Sequence, residues 1–498
     1  MRTLRSSRVV CGLEVRRSKL GRREWLGRVL GGICGICVVN RGIGVVFGGE
    51  SGGDDSPLTF RVRSVVELTG EVHLKSQGAT TTRRDGKEEI ARRAAVRSMA
   101  TLDFDEQYVL GGTQDAPIGY QYFHEAKSEI TVDRHETRTV LRENCREVVK
   151  WSSGAGVVVS GVSVPLFAAE RDLVEGSLDT VYLDQLLTDR EVAIADKWVV
   201  DRLVVAKLFH LDAVLDGDLT VCLVDLDGEK AHLEVEGKLQ ASVRDVPTEM
   251  VIKGKGLMDR AQGYLSWLAI QVDETRDIGE AEPGFSVTAQ IRVLRAPIEG
   301  MSTGRTLSDV SKETSSLQAA ELLQYQSDLG YYRFLADRRW STYRDNGEEA
   351  TLRYILSNRR VAQCNITNLV DFQPGEQLTL EGFQSDLSKM ASKAGREILD
   401  ATERLSRSNH RVLRVTLVGD ADGVSIRWIH YHVSNDQGRR LTLVFITDES
   451  SLEVFAEQDA QIVETLELMA WPTKLDKEAI EKAEAVAEKP VEAKRPTR

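Results

Sequence analysis

Residues 58–75 alternate with a strictness that few folds accommodate. Leu58, Phe60, Val62, Ser64, Val66, Leu68, Gly70, Val72 and Leu74 fall on one parity, while Arg61, Arg63, Glu67, Thr69, Glu71, His73 and Lys75 fall on the other. A period of two is a strand with one dry face and one wet face. It runs to about three times the usual strand length, so it is expected to curl around a core as the wall of a barrel or half-barrel. At 498 residues the chain exceeds what one core supports, and two or three domains are expected.

The same parity recurs downstream. After a polar break at 76–89, Ala94, Val96, Ser98, Ala100, Leu102 and Phe104 share one face, and 120–132 and 137–151 supply two further strands of an antiparallel meander. Between 164 and 190 the spacing of Leu166, Leu173, Val174, Leu178, Val181, Leu183, Leu186 and Leu187 turns helical, with a break near Gly176. Strands resume at 232–244, 250–257, 264–272 and 285–294. Leu68-Thr69-Gly70-Glu71-Val72 is echoed by Val235-Glu236-Gly237-Lys238-Leu239, and Ile130-Thr131-Val132-Asp133 by Ile270-Gln271-Val272-Asp273, which suggests two meander halves flanking a helical insert.

A Ser-, Thr- and Gly-rich stretch within 298–327 reads as a linker, with a short helix beginning at 317–323. Beyond it, 340–343, 350–356 and 360–367 read as strands and 383–405 as an amphipathic helix. Three more strands follow at 412–418, 424–433 and 440–446, and 452–469 closes as a helix. The expected fold class is mainly β: a curved antiparallel half-barrel over 58–297 with a helical insert at 164–190, then a smaller α+β antiparallel sheet domain over 328–471. The tail 472–498, rich in Lys, Glu and Ala, reads as charged and disordered.

Charge and cysteine use bear on address and partners. The net charge of -12 conceals a basic segment at 1–49 with ten Arg or Lys against Glu14 and Glu24, which leaves about -20 on the remainder. That balance argues against nucleic acid or an anionic membrane as the main partner. Arg22-Arg23 followed by Trp25, Leu26 and an apolar run at 29–39 resembles a twin-arginine export signal. With 50–57 as a linker, the mature chain is expected at the periplasm or cell surface, without a membrane span. Outside the targeting region stand Cys145, Cys222 and Cys364, room for one bridge at most.

Residues 330–469 resemble the PsbP-like fold in the order of an early hairpin, a mid-domain helix, three long strands and a final helix, with Leu443-Val444-Phe445-Ile446 as the strand before that helix. Residues 58–297 resemble periplasmic lipoprotein-carrier half-barrels, in which a curved sheet holds helices against an apolar concavity. The two resemblances imply a non-catalytic protein that binds an apolar or amphipathic small molecule, or another envelope protein.

Individual residues fit that expectation. Gly70 and Gly237 on the dry parity mark bends or places where something approaches the backbone closely, and with Trp198 and Trp267 they are the candidates for lining a ligand cavity; Trp428 could contribute. Asp105 and Asp259 could form a carboxylate pair, or end strands at turns. No nucleophile elbow, phosphate loop or zinc helix is present, and no cofactor is expected. The enzymatic alternative is a metal-dependent or hydrolytic site on His430 and His432, which share a strand face and would need a third ligand. A structural component of the cell surface is the other alternative.

Overall fold

The protein is described by a computed structural model covering residues 58–74, 92–109, 117–153, 156–313, 321–421 and 423–471. The segment expected to direct export, the first linker and the tail lie outside the described residues.

Twelve strands build one large sheet: β1 (Leu58–Leu74), β2 (Arg92–Tyr108), β3 (Pro117–Val132), β4 (His135–Val140), β5 (Glu147–Ser153), β6 (Gly156–Gly161), β7 (Lys197–Val199), β8 (Ala213–Asp227), β9 (Lys230–Val243), β10 (Val246–Asp259), β11 (Tyr264–Arg276) and β12 (Gly284–Pro297). Their order is β6-β5-β3-β2-β1-β12-β11-β10-β9-β8-β7, with β4 also on β3. The path does not close on itself, so the sheet is an open, curved wall. β1 lies mid-sheet, antiparallel to β2 and to β12. Its alternation is realised in space: Val62, Val66, Leu68 and Val72 are buried, while Arg63, Thr69 and Glu71 are exposed.

The echoed motifs occupy matching positions. Gly70 stands opposite Val96 and Val96 opposite Val132; Gly237 stands opposite Ile252 and Ile252 opposite Val272. Each glycine thus heads the same cross-strand row of a three-stranded meander.

Between β6 and β8 the chain leaves the sheet and lies in its concavity. Helix α1 (Ala168–Glu175) ends at Gly176, whose φ of 67° reverses the backbone as the sequence break implied. A 3-10 turn, Thr180–Leu186, is capped by Asp179, and α2 (Arg202–Leu208) by Asp201, whose side chain accepts from the Leu203 and Val204 amides. Leu173, Val174, Val181, Leu183, Leu186, Leu208 and Phe209 merge with Val66, Leu68, Ile252, Ile291 and Val293 of the sheet into one core.

Helix α3 (Leu307–Glu313) follows, then β13 (Leu322–Ser327), β14 (Tyr332–Asp337), β15 (Trp340–Asp345), β16 (Glu349–Leu356), β17 (Arg359–Asn368), α4 (Leu380–Lys393), β18 (Glu397–Leu405), β19 (Arg411–Ala421), β20 (Val424–Ser434), β21 (Arg440–Asp448), α5 (Leu452–Phe455), α6 (Gln458–Glu464) and β22 (Glu467–Leu468). β15-β16-β17-β21-β20-β19-β18 form a second, smaller sheet, and β13-β14-β22 a third. The smaller sheet is covered on both faces. Phe455, Ile462 and Val463 pack with Tyr354, Cys364, Tyr431 and Phe445 on one side, and Phe383, Leu387 and Ala391 of α4 pack with Leu413, Val415, Leu417 and Trp428 on the other. The two halves of the chain touch through Arg338–Glu175, an ion pair at 3.1 Å with both side chains buried, and through the Asn358 side chain, which accepts from the Ala281 amide.

Two expectations give way. The helix expected over 383–405 stops at Lys393; Gly395, at φ 63°, turns the chain and Glu397–Leu405 returns as edge strand β18. The final helix breaks at Ala456, φ 45°, into α5 and α6. Most of the helix expected at 317–323 lies outside the described residues, and Leu322–Ser327 is strand β13. Cys145, Cys222 and Cys364 are all free, within the limit of one bridge at most.

Candidate functional site

The concavity expected to take a ligand is occupied by the protein itself. The insert is fastened there by ions on the dry side of the sheet. Lys150 of β5 lies 2.8 Å from Asp179 and 3.5 Å from Glu106 of β2, with all three side chains at most 3% exposed. Glu106 Oε1 also accepts from Thr180 and Gln121, at 2.8 Å each. Burial works against the Lys150 ammonium, and the charges of Asp179 and Glu106 outweigh it, so its pKa is raised. Asp179 is lowered: Lys150, then His210, overcome the cost of burial. A second clasp joins Arg295 of β12 to Asp184 of the 3-10 turn at 2.8 Å and to the Tyr108 hydroxyl at 2.7 Å. A cavity of about 10 Å³ between Phe209, Met250, Glu274 and Val287 is the room of one water.

The glycines meet strands rather than a ligand. A Cβ on Gly70 would lie 2.2 Å from the Ser286 carbonyl oxygen, and one on Gly237 would lie 2.9 Å from Leu219 and 3.0 Å from the Asp218 oxygen. What approaches each backbone closely is the neighbouring strand. Trp198 donates its Nε1 hydrogen to the Leu186 carbonyl at 2.9 Å and packs against the large core. Asp105 and Asp259 are not a pair: Asp105 accepts from Arg61 and the Ser302 amide, while Asp259 accepts from the Ala261 and Gln262 amides of a hairpin turn.

His430 and His432 do share a face of β20, beneath α4, where the His432 ring lies 5.9 Å from that of Phe383. Burial pushes both imidazoles down to about 4, helped by Arg396 at His430 and by Arg440 and Arg411 at His432. Among the described residues no third His, Cys, Asp or Glu gathers with them at a metal position.

Trp267 is placed differently from the other cavity candidates. It lies on the outer face of the large sheet, directly between Leu257 of β10 and Leu294 of β12. The row continues to His232 of β9 on one side and Arg63 of β1 on the other. In the next row Arg292 and Lys255 flank Ala269. Leu294 is 52% exposed, Trp267 and Leu257 are half-buried, and Arg63, His232, Lys255 and Arg292 are exposed. The segment after β12 covers the outer face elsewhere, over β2, β3, β5 and β6, where Met301, Leu307 and Val310 pack with Tyr120, Val149, Trp151 and Val158. Arg63 pairs with Asp103, Arg292 with Glu67, and Lys255 stands opposite Glu234, so the result is an apolar row with a charged rim of both signs on a sheet face. The signal was in the sequence: Trp267 shares its parity with Ala269, Gln271 and Asp273, opposite Leu268, Ile270 and Val272.

No family model and no curated protein matches the chain. Solved structures overlap parts of it. A protein from Bacteroides thetaiotaomicron does so at 9% identity over 35% of this chain, with a TM-score of 0.23, and this chain spans 63% of that one's length. The immunity protein TplEi of T6SS from Pseudomonas aeruginosa matches at 10% identity over 47% of this chain and 95% of its own, TM-score 0.20. A structure of the Tle4-Tli4 complex matches at 13% identity over 43% and 73%, TM-score 0.19. Overlap at this level carries no functional argument. Neither a lipoprotein carrier nor a PsbP-like protein is among these likenesses, and what stands of both resemblances is a β-rich architecture.

Proposed function

We propose that this protein is a non-catalytic binding component of the cell envelope, receiving a partner protein on the outer face of its large sheet. The observation that carries the reading is the row Leu257, Trp267, Leu294 on that face, ringed by Arg63, His232, Lys255 and Arg292. A large aromatic ring among aliphatic side chains, with charge kept to the rim, is the anatomy of a protein interface. The inner face offers no comparable site, since the insert fills it. The partner's contacting segment is apolar where it meets the row and polar where it meets the rim of both signs. Export belongs to this reading through Arg22, Arg23 and the apolar run at 29–39.

The test is a photo-reactive residue placed at 294 in the full chain, in its native envelope. A discrete adduct that disappears on Trp267→Ala supports the reading. No adduct, or the same adducts with and without Trp267, overturns it.

A further inference from the structure

The Lys150, Asp179 and Glu106 cluster has the parts of a self-modifying site. An amine and a carboxyl group stand 2.8 Å apart, and a second carboxyl group lies 3.5 Å from the amine. The side chains are 3%, 1% and 0% exposed. The two oxygens of Asp179 are not equivalent: Oδ1 accepts from Lys150 and from the Val181 amide at 3.2 Å, while Oδ2 has no hydrogen-bond partner among the described residues. Glu106 divides likewise, with Oε1 held by Gln121 and Thr180 and Oε2 without a partner among the described residues.

We infer that Lys150 and Asp179 condense into an amide bond between the sheet and its insert, with Glu106 as the proton carrier. The Lys150 ammonium passes one proton to Asp179 Oδ2, which leaves a neutral amine beside a neutral carboxylic acid, and the amine attacks Cγ. The charge that develops on Oδ1 is met by the Val181 N–H. Glu106 takes a second proton from the nitrogen and delivers it to the Oδ2 hydroxyl, the C–Oδ2 bond breaks, and one water leaves. A C–N bond has formed, nothing is oxidised or reduced, and Glu106 returns to its starting state.

In water the reverse reaction is favoured because the two ions are well hydrated. In this interior that hydration is already lost, and a neutral amide removes an ion pair whose burial is costly. Fixed geometry supplies the encounter. The Asp179 side chain caps the 3-10 turn and Lys150 projects from β5, so the bond would lock the insert into the concavity.

Peptide mapping of the purified full chain after denaturation tests this. The expected result is one branched species holding the Lys150 and Asp179 peptides, lighter than the two together by one water, with the separate peptides depleted. Glu106→Gln should restore the separate peptides, with its circular dichroism confirming the fold. Separate, unmodified Lys150 and Asp179 peptides in folded wild-type protein overturn the inference and leave an ion pair only. Should Glu106→Gln not fold, the wild-type map alone decides.

Discussion

The large and small sheets each hold a helical element on one face, by different means. The insert of the large sheet adds buried charge to its apolar packing, through Lys150 with Asp179 and Glu106 before the inferred condensation and through Arg295 with Asp184. Helix α4 is fixed to the small sheet by Phe383, Leu387 and Ala391, over a floor that includes two neutral histidines. A charge-paired element is held as long as its carboxylates stay ionised, whereas an apolar one above buried imidazoles is undone by the proton they exclude. The insert holds one such imidazole, His210, against two beneath α4, so acid is expected to cost the two covers unequally.

Acid gives the largest expected separation. Imidazoles held at about 4 in the fold take their proton first in the unfolded chain, where the ordinary value is about 6.5. Their contribution is complete above about pH 6.5, falls as pH drops, and reaches its floor near pH 4, a loss of about 3 kcal/mol for each histidine. Before condensation Asp179, lowered in the fold, contributes above the ordinary carboxylate value and loses that contribution only below it, while buried His210 of the insert, also lowered, loses its own contribution as pH falls through the ordinary imidazole value. Amide exchange followed from pH 7 to 4.5 should show α4 and β20 losing more protection than the Thr180–Leu186 turn. Equal loss in both regions breaks the comparison, and the double change His430→Asn with His432→Leu should flatten the response of α4.

Cutting each fastening comes next. Lys150→Ala strands two carboxyl groups in the interior, removes the inferred amide as well, and should cost at least about 3–5 kcal/mol in denaturant unfolding. The part of the loss restored by adding Glu106→Gln and Asp179→Asn to that variant measures the stranded charge. Leu387→Ala in α4 should cost about 3 kcal/mol with no dependence on salt. A loss that varied with ionic strength would mean charge also holds α4.

The smallest effect on stability is expected on the open face. Leu294→Ala should change unfolding by about 0.5 kcal/mol or less, since that side chain is half in solvent. A much larger cost would make the row around Trp267 part of the fold rather than a docking surface.

What was legible in the chain was whatever obeyed one period. β1 could be read because one of its faces is dry from Phe60 to Leu68 and again at Val72, and the break at Gly176 because a glycine there permits a positive φ. Edge strand β18 was hidden because both of its faces are largely exposed, so nothing forces alternation, and Ile398, Ala401 and Leu405 mimic helical spacing. β8 was missed because register shifts between Val214 and Asp216 and between Leu223 and Asp225 move its apolar residues from one parity to the other. The charge cluster left a partial trace. Glu106 continues the dry parity of Leu102 and Phe104, a carboxyl group where an apolar residue belongs. Its partners come from β5 and the insert, and no local pattern joins residues so far apart.

The pairing of β1 with β12 has a consequence for how the chain is made. The first strand of the large sheet finds its second neighbour only in the last, from Phe60 with Pro297 to His73 with Gly284. A nascent chain therefore carries β1 with one edge open until Pro297 has left the ribosome. Closure across so long a loop is slow, and during that interval the exposed edge invites pairing with the wrong partner. The interval between synthesis of β1 and of β12 is the period in which this protein most needs a chaperone, and a chain truncated before β12 should aggregate rather than fold in part.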